Sequence, residues 1–279
     1  MQGVTYWDVF GMKQTRDSPA TTVSKQTRDF YDTVGWTLTD DATVDAQKWE
    51  DLRPCAAEYV SACRLRVLRH LPKSGERLLD MASGPIQYPE YLRLSENFAK
   101  RVCVDLSDRA LTLAQGKLGA RGEYLQGDFL EMEIPSDTFD ATISLHTIYH
   151  MDATQQADAV RKLLKVTKPG APIVIVYSNP RYPGAPLLQI KRRLSKNKGD
   201  IYFHPFPLNW WRQFGDAADV EIHPWRTFEA RAQRLLFPNN ALGRKMLACL
   251  YGLEDRFPAL FKSFGCYPMI VLRKRQLPS

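Results

Sequence analysis

Between Ala159 and Gly199 the chain has no acidic residue, although this run holds ten lysines and arginines. Taking those ten from the total of 38 basic residues leaves 28 against 31 acidic ones, so the net charge of +7 resides in one segment. Such a segment is either a solvated basic face or an attractor for an anionic substrate, a carrier-bound group or a membrane surface. Long apolar runs are missing too. No window reaches the ~18 residues needed for a membrane span. The first residues lack a basic stretch followed by an apolar one, so no secretory signal is expected and the expected compartment is the cytoplasm. The five cysteines (55, 63, 103, 249 and 266) are scattered and odd in number. That pattern argues against a disulfide framework or a zinc site and suits a reducing environment.

The Gly-x-Gly-x-x-Gly fingerprint of dinucleotide binders is also absent, yet a strand-turn-helix of similar shape is present. Leu78 and Leu79 read as a buried strand ending at Asp80, followed by the small-residue turn Met81-Ala82-Ser83-Gly84-Pro85. A helix carrying Tyr91, Leu92 and Phe98 is expected next, with Pro89 in its first turn. Arg101–Ser107 forms a second strand ending at Asp105, and Ser107 caps a helix bearing Ala110, Leu111, Ala114 and Leu118. Asp105 follows Gly84 at the spacing at which a second strand end offers a carboxylate to a ribose diol. Tyr124–Phe129 and Phe139–His146 supply a third and a fourth strand. Four polar strand ends, each leading into a turn or helix, make one ligand rim.

These motifs resemble those of class I S-adenosylmethionine-dependent methyltransferases of the small-molecule branch, over roughly residues 75–180. The resemblance implies an α/β fold, a Rossmann-like seven-stranded, mostly parallel sheet with helices on both faces and an antiparallel last strand. It also implies S-adenosyl-L-methionine as cofactor. On that reading Asp80, Ala82, Ser83 and Gly84 cradle its methionine part, Asp105 and Leu106 hold the ribose, and Asp128 with Phe129 meets the adenine. Leu145–His150 would run past the reactive methyl. Leu164–Gly170 is similar to the family's helix-ending turn before strand five. The departure is in the first turn, where Ala82 and Gln87 stand at positions that family members often give to glycine.

The chain divides on this reading into an N-terminal arm and cap over 1–74 and a core over 75–279, with 183–219 and 224–262 as insertions roofing the substrate. Residues 1–25 read as a loose arm, and the aromatic cluster around Tyr31 as a lid. A helical segment, Cys55 to His70, offers an apolar face for packing on the sheet. Short helices are expected at Pro186–Arg193 and Leu208–Ala218. An alcohol or phenol acceptor benefits from a base that titrates near neutrality, which makes histidine the natural choice. His146 and His150, with Tyr149 between them, are the catalytic candidates; in a helix the two histidines would share a face. No metal is expected, because no acidic motif accompanies that pair. Tyr31, His204, Trp210 and Trp211 are the substrate-contact candidates. Asn179-Pro180-Arg181-Tyr182 is similar to a signature of amino-group methyltransferases but follows strand five rather than strand four, so it reads as a turn.

The expected function is methyl transfer to an oxygen or nitrogen of a small metabolite, planar or apolar and bearing an acidic group or carrier. Peripheral contact with a membrane is a further expectation. A dinucleotide-dependent reductase, an RNA-binding or RNA-modifying protein and a non-enzymatic cofactor-binding protein are the rivals. Against RNA stands the lack of any flanking RNA-binding module and of aromatics interleaved with the bases. If the basic run steers an anionic acceptor, replacing Lys191, Arg192 and Arg193 with Gln should raise KM and leave saturated turnover unchanged. That effect should fade near ~0.5 M salt, where the Debye length is only about 4 Å. Steady-state kinetics at low and high salt check this, and an unchanged KM would remove the steering role.

Overall fold

The structure, a computed structural model, describes residues 22–39, 42–183 and 201–275. Seven strands form one sheet: β1 (Gly75–Met81), β2 (Phe98–Asp105), β3 (Gly122–Gln126), β4 (Ala141–Leu145), β5 (Pro172–Val176), β6 (Ala218–Arg226) and β7 (Tyr267–Lys274). Their order is β3-β2-β1-β4-β5-β7-β6. The first five are parallel, and β7 runs antiparallel to β5 and β6. The chain winds outward from β1 on one side and from β4 on the other. Ligands of open α/β sheets sit where the strand order reverses in this way, beyond the carboxyl ends.

The helices are α1 (Thr22–Phe30), α2 (Val44–Trp49), α3 (Ala57–Leu65), α4 (Pro89–Arg93), α5 (Asp108–Leu118), α6 (Gln156–Val166), α7 (Ala230–Leu236), α8 (Ala241–Arg256) and α9 (Pro258–Phe264). Successive strand residues point to opposite faces. Leu79, Val102, Ile173 and Ile175 therefore pack with Ala159, Val160 and Leu163 of α6 on one side. Leu78, Cys103, Ile143 and Val174 pack with Leu111, Ala114 and Leu118 of α5 on the other. Both strand faces are covered, which is why β5 reads as an unbroken apolar run rather than an alternating one. The Ser107 hydroxyl caps α5 by accepting from the Ala110 amide at 3.0 Å. No helix among the described residues is long and apolar enough to cross a membrane.

Several local expectations change. The first crossover helix, α4, stops at Arg93, and Phe98 opens β2 instead of continuing a helix. The polar stretch Ser95-Glu96-Asn97 forms the turn between them. Residues 208–214 make 3-10 turns, shorter and tighter than the expected helix to Ala218, which instead begins β6. The 55–70 segment is α3 followed by a 3-10 turn, Arg66–Arg69. Its apolar face packs mainly on α8, through Leu247 and Leu250, while Val67 and Leu68 join the sheet-side core. The basic residues 191–198 and the helix expected at 186–193 lie outside the described residues, as do residues 1–21 of the arm.

The turn after β1 puts two residues other than glycine in the left-handed region, Ala82 and Ile86, at φ +58° and +49°. Gly84 between them is at φ +56°. An L-residue in this left-handed region costs about 1–2 kcal/mol, and a β-branched one is a genuine outlier. Ile86 is held there by complete burial in the core. At Gly84 no side chain fits, since a Cβ would meet Trp36 Cζ2 at 3.1 Å. Gly84→Ala should therefore destabilise the protein by about 1–2 kcal/mol. Ala82→Gly removes strain but adds about 0.5–1 kcal/mol of chain entropy, so it should be neutral or stabilising. Urea denaturation of the two variants checks the pair, and equal losses would show that the turn stores no backbone strain.

Candidate active site

One cavity of about 650 Å³ lies beyond the carboxyl ends of the central strands. Ligand pockets of roughly 300–1,000 Å³ suit small molecules and cofactors. On one side the cavity is bordered by Ala82, Ser83 and Gly84 after β1, Asp105 and Leu106 after β2, and Asp128 and Phe129 after β3. The Asp105 carboxylate accepts the Gly84 amide at 2.8 Å and the Ser107 amide at 2.9 Å. Loss of water nevertheless dominates, and the Asp105 carboxyl is pushed up to about 6. Asp128 accepts the Leu130 amide at 2.9 Å and the Ser24 hydroxyl of α1 at 3.0 Å.

Asp80 also borders the cavity, but its charge is already engaged. Arg101 on the neighbouring strand donates to its Oδ2 through Nη2 at 2.5 Å and Nε at 3.1 Å, and both side chains are buried. Burial raises the Asp80 carboxyl while Arg101 pulls it down. Asp80 therefore stands at the cofactor rim with one carboxylate oxygen paired to Arg101, a pairing that also stiffens β1 against β2.

The N-terminal segment covers this side. Tyr31 stacks on Trp36 with ring centroids 4.6 Å apart, and the Trp36 ring rests over Gly84. Ser107 also donates to Asp32, and Arg109 donates to the Asp32 carbonyl at 3.2 Å. Two buried donors that border the cavity, Trp36 Nε1 and Thr27 Oγ1, have no hydrogen-bond partner among the described residues. Groups of that kind are costly unless something completes them. With the carboxylates of Asp105 and Asp128 on the same wall, they fit a nucleoside cofactor lying along this rim.

The other side of the cavity begins at the end of β4. His146 is at φ +63°, so the chain reverses there, and Ile148–His150 is a single 3-10 turn. The two histidines consequently do not share a helix face. The His146 ring is edge-on to Trp225 and Tyr267, at 4.7 and 5.0 Å, and its Nδ1 is 3.0 Å from the Tyr149 hydroxyl. Burial, reinforced by Arg226, depresses the His146 pKa to about 3, so this ring is neutral. His150 Nδ1 lies 2.7 Å from the Tyr202 carbonyl. A carbonyl only accepts, so Nδ1 carries the proton and Nε2 is the nitrogen able to take one. Burial holds the Tyr149 hydroxyl well above its usual range. Among the described residues, no three His, Cys, Asp or Glu side chains gather as a metal site.

His204 and Phe203 border the cavity from above, tied down where the His204 amide donates to the Tyr149 carbonyl at 2.7 Å. Trp210 and Trp211 do not border it. Trp211 is fully buried against Tyr177, and Trp210 stacks on Phe206, so this pair supports the roof from behind rather than facing an acceptor. Asn179 spends its amide hydrogens on the Ser263 and Gly265 carbonyls, at 2.9 and 3.1 Å, and its oxygen on the Arg181 amide. Its place is in the turn. Of residues 224–262, Arg226, Glu229 and Arg231 reach the cavity, whereas α8 packs on α3.

The sequence reading missed a polar cluster on the cap side. Asp45, Lys48 and Glu50 border the cavity from α2 and its end. Glu50 binds Arg64 at 2.7 Å and also Arg226, whose guanidinium faces the Tyr267 ring at 5.1 Å. Asp45 is pushed up to about 6 by loss of water, against the pull of a Gln87 hydrogen bond. A Thr43 cap accepting from Ala46 was the one available signal for α2. Nothing in the sequence linked it to a strand end so far along the chain.

A family model described as a methyltransferase domain matches residues 79–175. The chain is 30% identical over 118 residues to a ubiquinone/menaquinone biosynthesis C-methyltransferase of Pseudomonas putida, a match covering 39% of this chain and 44% of that protein. It is 32% identical over 116 residues to a demethylmenaquinone methyltransferase of Clavibacter sepedonicus, covering 40% and 45%. The chain thus spans less than half the length of these curated relatives. Among solved structures, a chain from a complex with the Trm112 methyltransferase activator of Haloferax volcanii superposes with a TM-score of 0.57 at 15% identity, covering 91% of this chain and 99% of that one. Phosphoethanolamine N-methyltransferase 2 of Haemonchus contortus, in complex with S-adenosyl-L-methionine, gives 0.53 at 17% identity, with 90% and 60% covered. At such identities the structural likeness speaks for the fold.

The raised carboxyls set a pH dependence. Asp45 and Asp105 hold their protons to about pH 6 in the folded chain, against about 3.9 in an unfolded one. The native state then binds more protons between those values, and its stability falls as pH rises through the window. Ribose hydroxyls donate to the ionised form of Asp105, so nucleoside affinity should move the other way, weakening up to about tenfold per unit below pH 6. Asp105→Asn should flatten that profile, and Asp105→Ala should cost about 2–3 kcal/mol of binding. Calorimetric titration with S-adenosylhomocysteine from about pH 5 to 7 reads both, and a wild-type profile as flat as the variant's would remove Asp105 from the ribose.

The matched residues run from β1 to β5 and take in the whole rim on which Asp105 and Asp128 stand. Over this stretch the chain matches a methyltransferase domain, in agreement with the S-adenosylmethionine-dependent reading of its sequence.

Proposed function

We propose that the chain transfers a methyl group to an oxygen or nitrogen of a small, planar or apolar acceptor that bears an acidic group or is attached to a carrier. The observation that carries this reading is the continuity of the cavity. The cofactor rim at Asp105 and Asp128 and the His146–His150 segment border the same space. S-adenosyl-L-methionine bound there supplies a methyl activated by the sulfonium. In-line displacement needs positioning and the exclusion of water more than acid–base help.

The aromatic surfaces of Tyr31, Trp49, Tyr88, Phe203 and Tyr267 suit a flat acceptor, and Lys48 and Arg231 suit an acidic group on it. His146 is neutral and serves as a hydrogen-bonding wall. His150 donates its Nδ1 proton to the Tyr202 carbonyl, which makes Nε2 the basic nitrogen of the ring and the atom to take a proton from an acceptor hydroxyl. A positioned general base contributes typically 10²–10⁴-fold. Asp45, with its raised carboxyl, is the second proton acceptor in the cavity. A second reading, transfer to a ring carbon, is favoured by the names of the curated relatives, which are C-methyltransferases of quinone biosynthesis. The same base would serve it, because removing a ring hydroxyl proton loads negative charge onto the adjacent carbon.

Transfer of labelled methyl to a panel of phenols, hydroxy acids and quinols tests both readings and separates them by product. His150→Ala should lower turnover by about 10²-fold or more, flatten the pH–rate profile and leave S-adenosylhomocysteine affinity intact. Joint loss of cofactor binding and stability would instead make His150 a structural residue.

A further inference from the structure

A surface helix needs one apolar stripe to pack, and α8 has two. Gly243, Leu247, Leu250 and Glu254 face inward, toward α3. A second row, Leu242, Met246, Cys249 and Leu253, runs along its flank and is exposed. The row continues in steps of three or four through Phe257 to Leu260 and Phe264 on α9, these last three all more than half exposed. Leu235 and Leu236 on α7 are exposed as well, Leu235 at 85%. Runs of exposed apolar side chains at helical spacing mark interaction surfaces, whereas isolated ones mean little.

The charges around this surface are of one sign. Lys245 and Arg256 lie within about 80° of the row on the α8 wheel, and Lys262 is on α9. The two acids of the region are already used: Glu254 is fully buried and bonded to Arg66, and Asp255 pairs with Arg66 and Arg69. A two-fold contact with a second copy would set this basic rim against itself. An apolar helix flank with a basic border matches the headgroup region of an anionic bilayer, where the apolar row enters the acyl boundary and the bases meet the phosphates. The surface also adjoins the cavity. Arg231 borders the cavity, and Leu235 lies one turn further along the same face of α7, roughly 6 Å away along the axis.

We propose that the α7–α9 surface docks on an anionic membrane and sets the cavity beside the bilayer, so that an apolar acceptor reaches it from the lipid. The docking stands whichever atom is methylated. It is read with neither cofactor nor acceptor present, so its failure and the failure of the methyltransferase reading are separate results.

Co-sedimentation of the full chain with phosphatidylcholine vesicles, with and without about 30 mol% phosphatidylserine, tests it. Wild-type protein should bind the anionic vesicles. L242S/M246S/L253S, which changes only exposed side chains, should lower the partition at least about tenfold while retaining its melting temperature and S-adenosylhomocysteine binding. K245Q/R256Q should weaken binding to the anionic vesicles alone. A second measurement covers the case in which the triple variant does not fold. Cys249 is exposed, whereas burial pushes the Cys63 and Cys103 thiols up to about 12, so an environment-sensitive dye can be placed on Cys249. Its emission should shift to the blue when anionic vesicles are added. Absence of wild-type binding, equal binding by a folded triple variant, an unshifted dye, or a wild-type dimer that the triple variant dissolves would each overturn the proposal, the last in favour of a second copy.

Discussion

The Gly84 amide donates to the Asp105 carboxylate, and much of the site hangs on that one bond. It joins the end of β1 to the end of β2 just where the sheet stops and the turn must leave it. The Ser83 amide adds a second tie, to the Val104 carbonyl at 3.2 Å. Held at both points, the loop has little choice but the left-handed backbone at Ala82, Gly84 and Ile86. That shape puts Gly84 under Trp36, and Trp36 in turn gives Tyr31 its stacking partner. The same carboxylate is denied water, so the group that fastens the turn is also the one whose proton is poised to leave when a better hydrogen-bonding partner arrives.

Ionic groups are buried elsewhere in unusual density. Asp80 with Arg101, and Glu50 with Arg64 and Arg226, sit inside the protein rather than on it. Replacing such pairs by apolar residues is often neutral for stability, but removing one partner alone is severe. Their effect here is geometric. Arg101 locks a strand register beside the cofactor turn, and Glu50 links the cap helix α2 to the far strand β6 through Arg226. Residues remote in sequence are thereby held around a single space.

The Rossmann-like sheet was legible because each strand ends in a polar residue followed by a recognisable turn, as at Asp80, Asp105, Asp128 and His146. Local chemistry sufficed there. Boundaries failed where context overruled it. Phe98 has helical spacing from Tyr91 but opens a strand, and the positive φ of Ile86 had no signal in the sequence, since only packing reveals which residue the core pins there. Trp210 and Trp211 read as acceptor contacts because they are aromatic and lie in an insertion, yet Tyr177 and Phe206 claim them. Asp45, Glu50 and Arg226 were invisible for a different reason. No periodicity or spacing relates a short cap helix to a strand some 180 positions later, and only the fold makes them neighbours.

The lid is fastened to the shelf it covers. Ser24 occupies one oxygen of Asp128, and Asp32 takes the Ser107 hydroxyl beside Asp105. A nucleoside amine or hydroxyl that donates to Asp128 would share or take over the oxygen that Ser24 now holds, and one that reaches Asp105 comes up beside the Ser107–Asp32 contact. The ground on which a cofactor would rest is thus the same ground on which α1 and the turn after it are anchored, so filling the rim and seating the N-terminal segment draw on the same few hydrogen-bonding atoms.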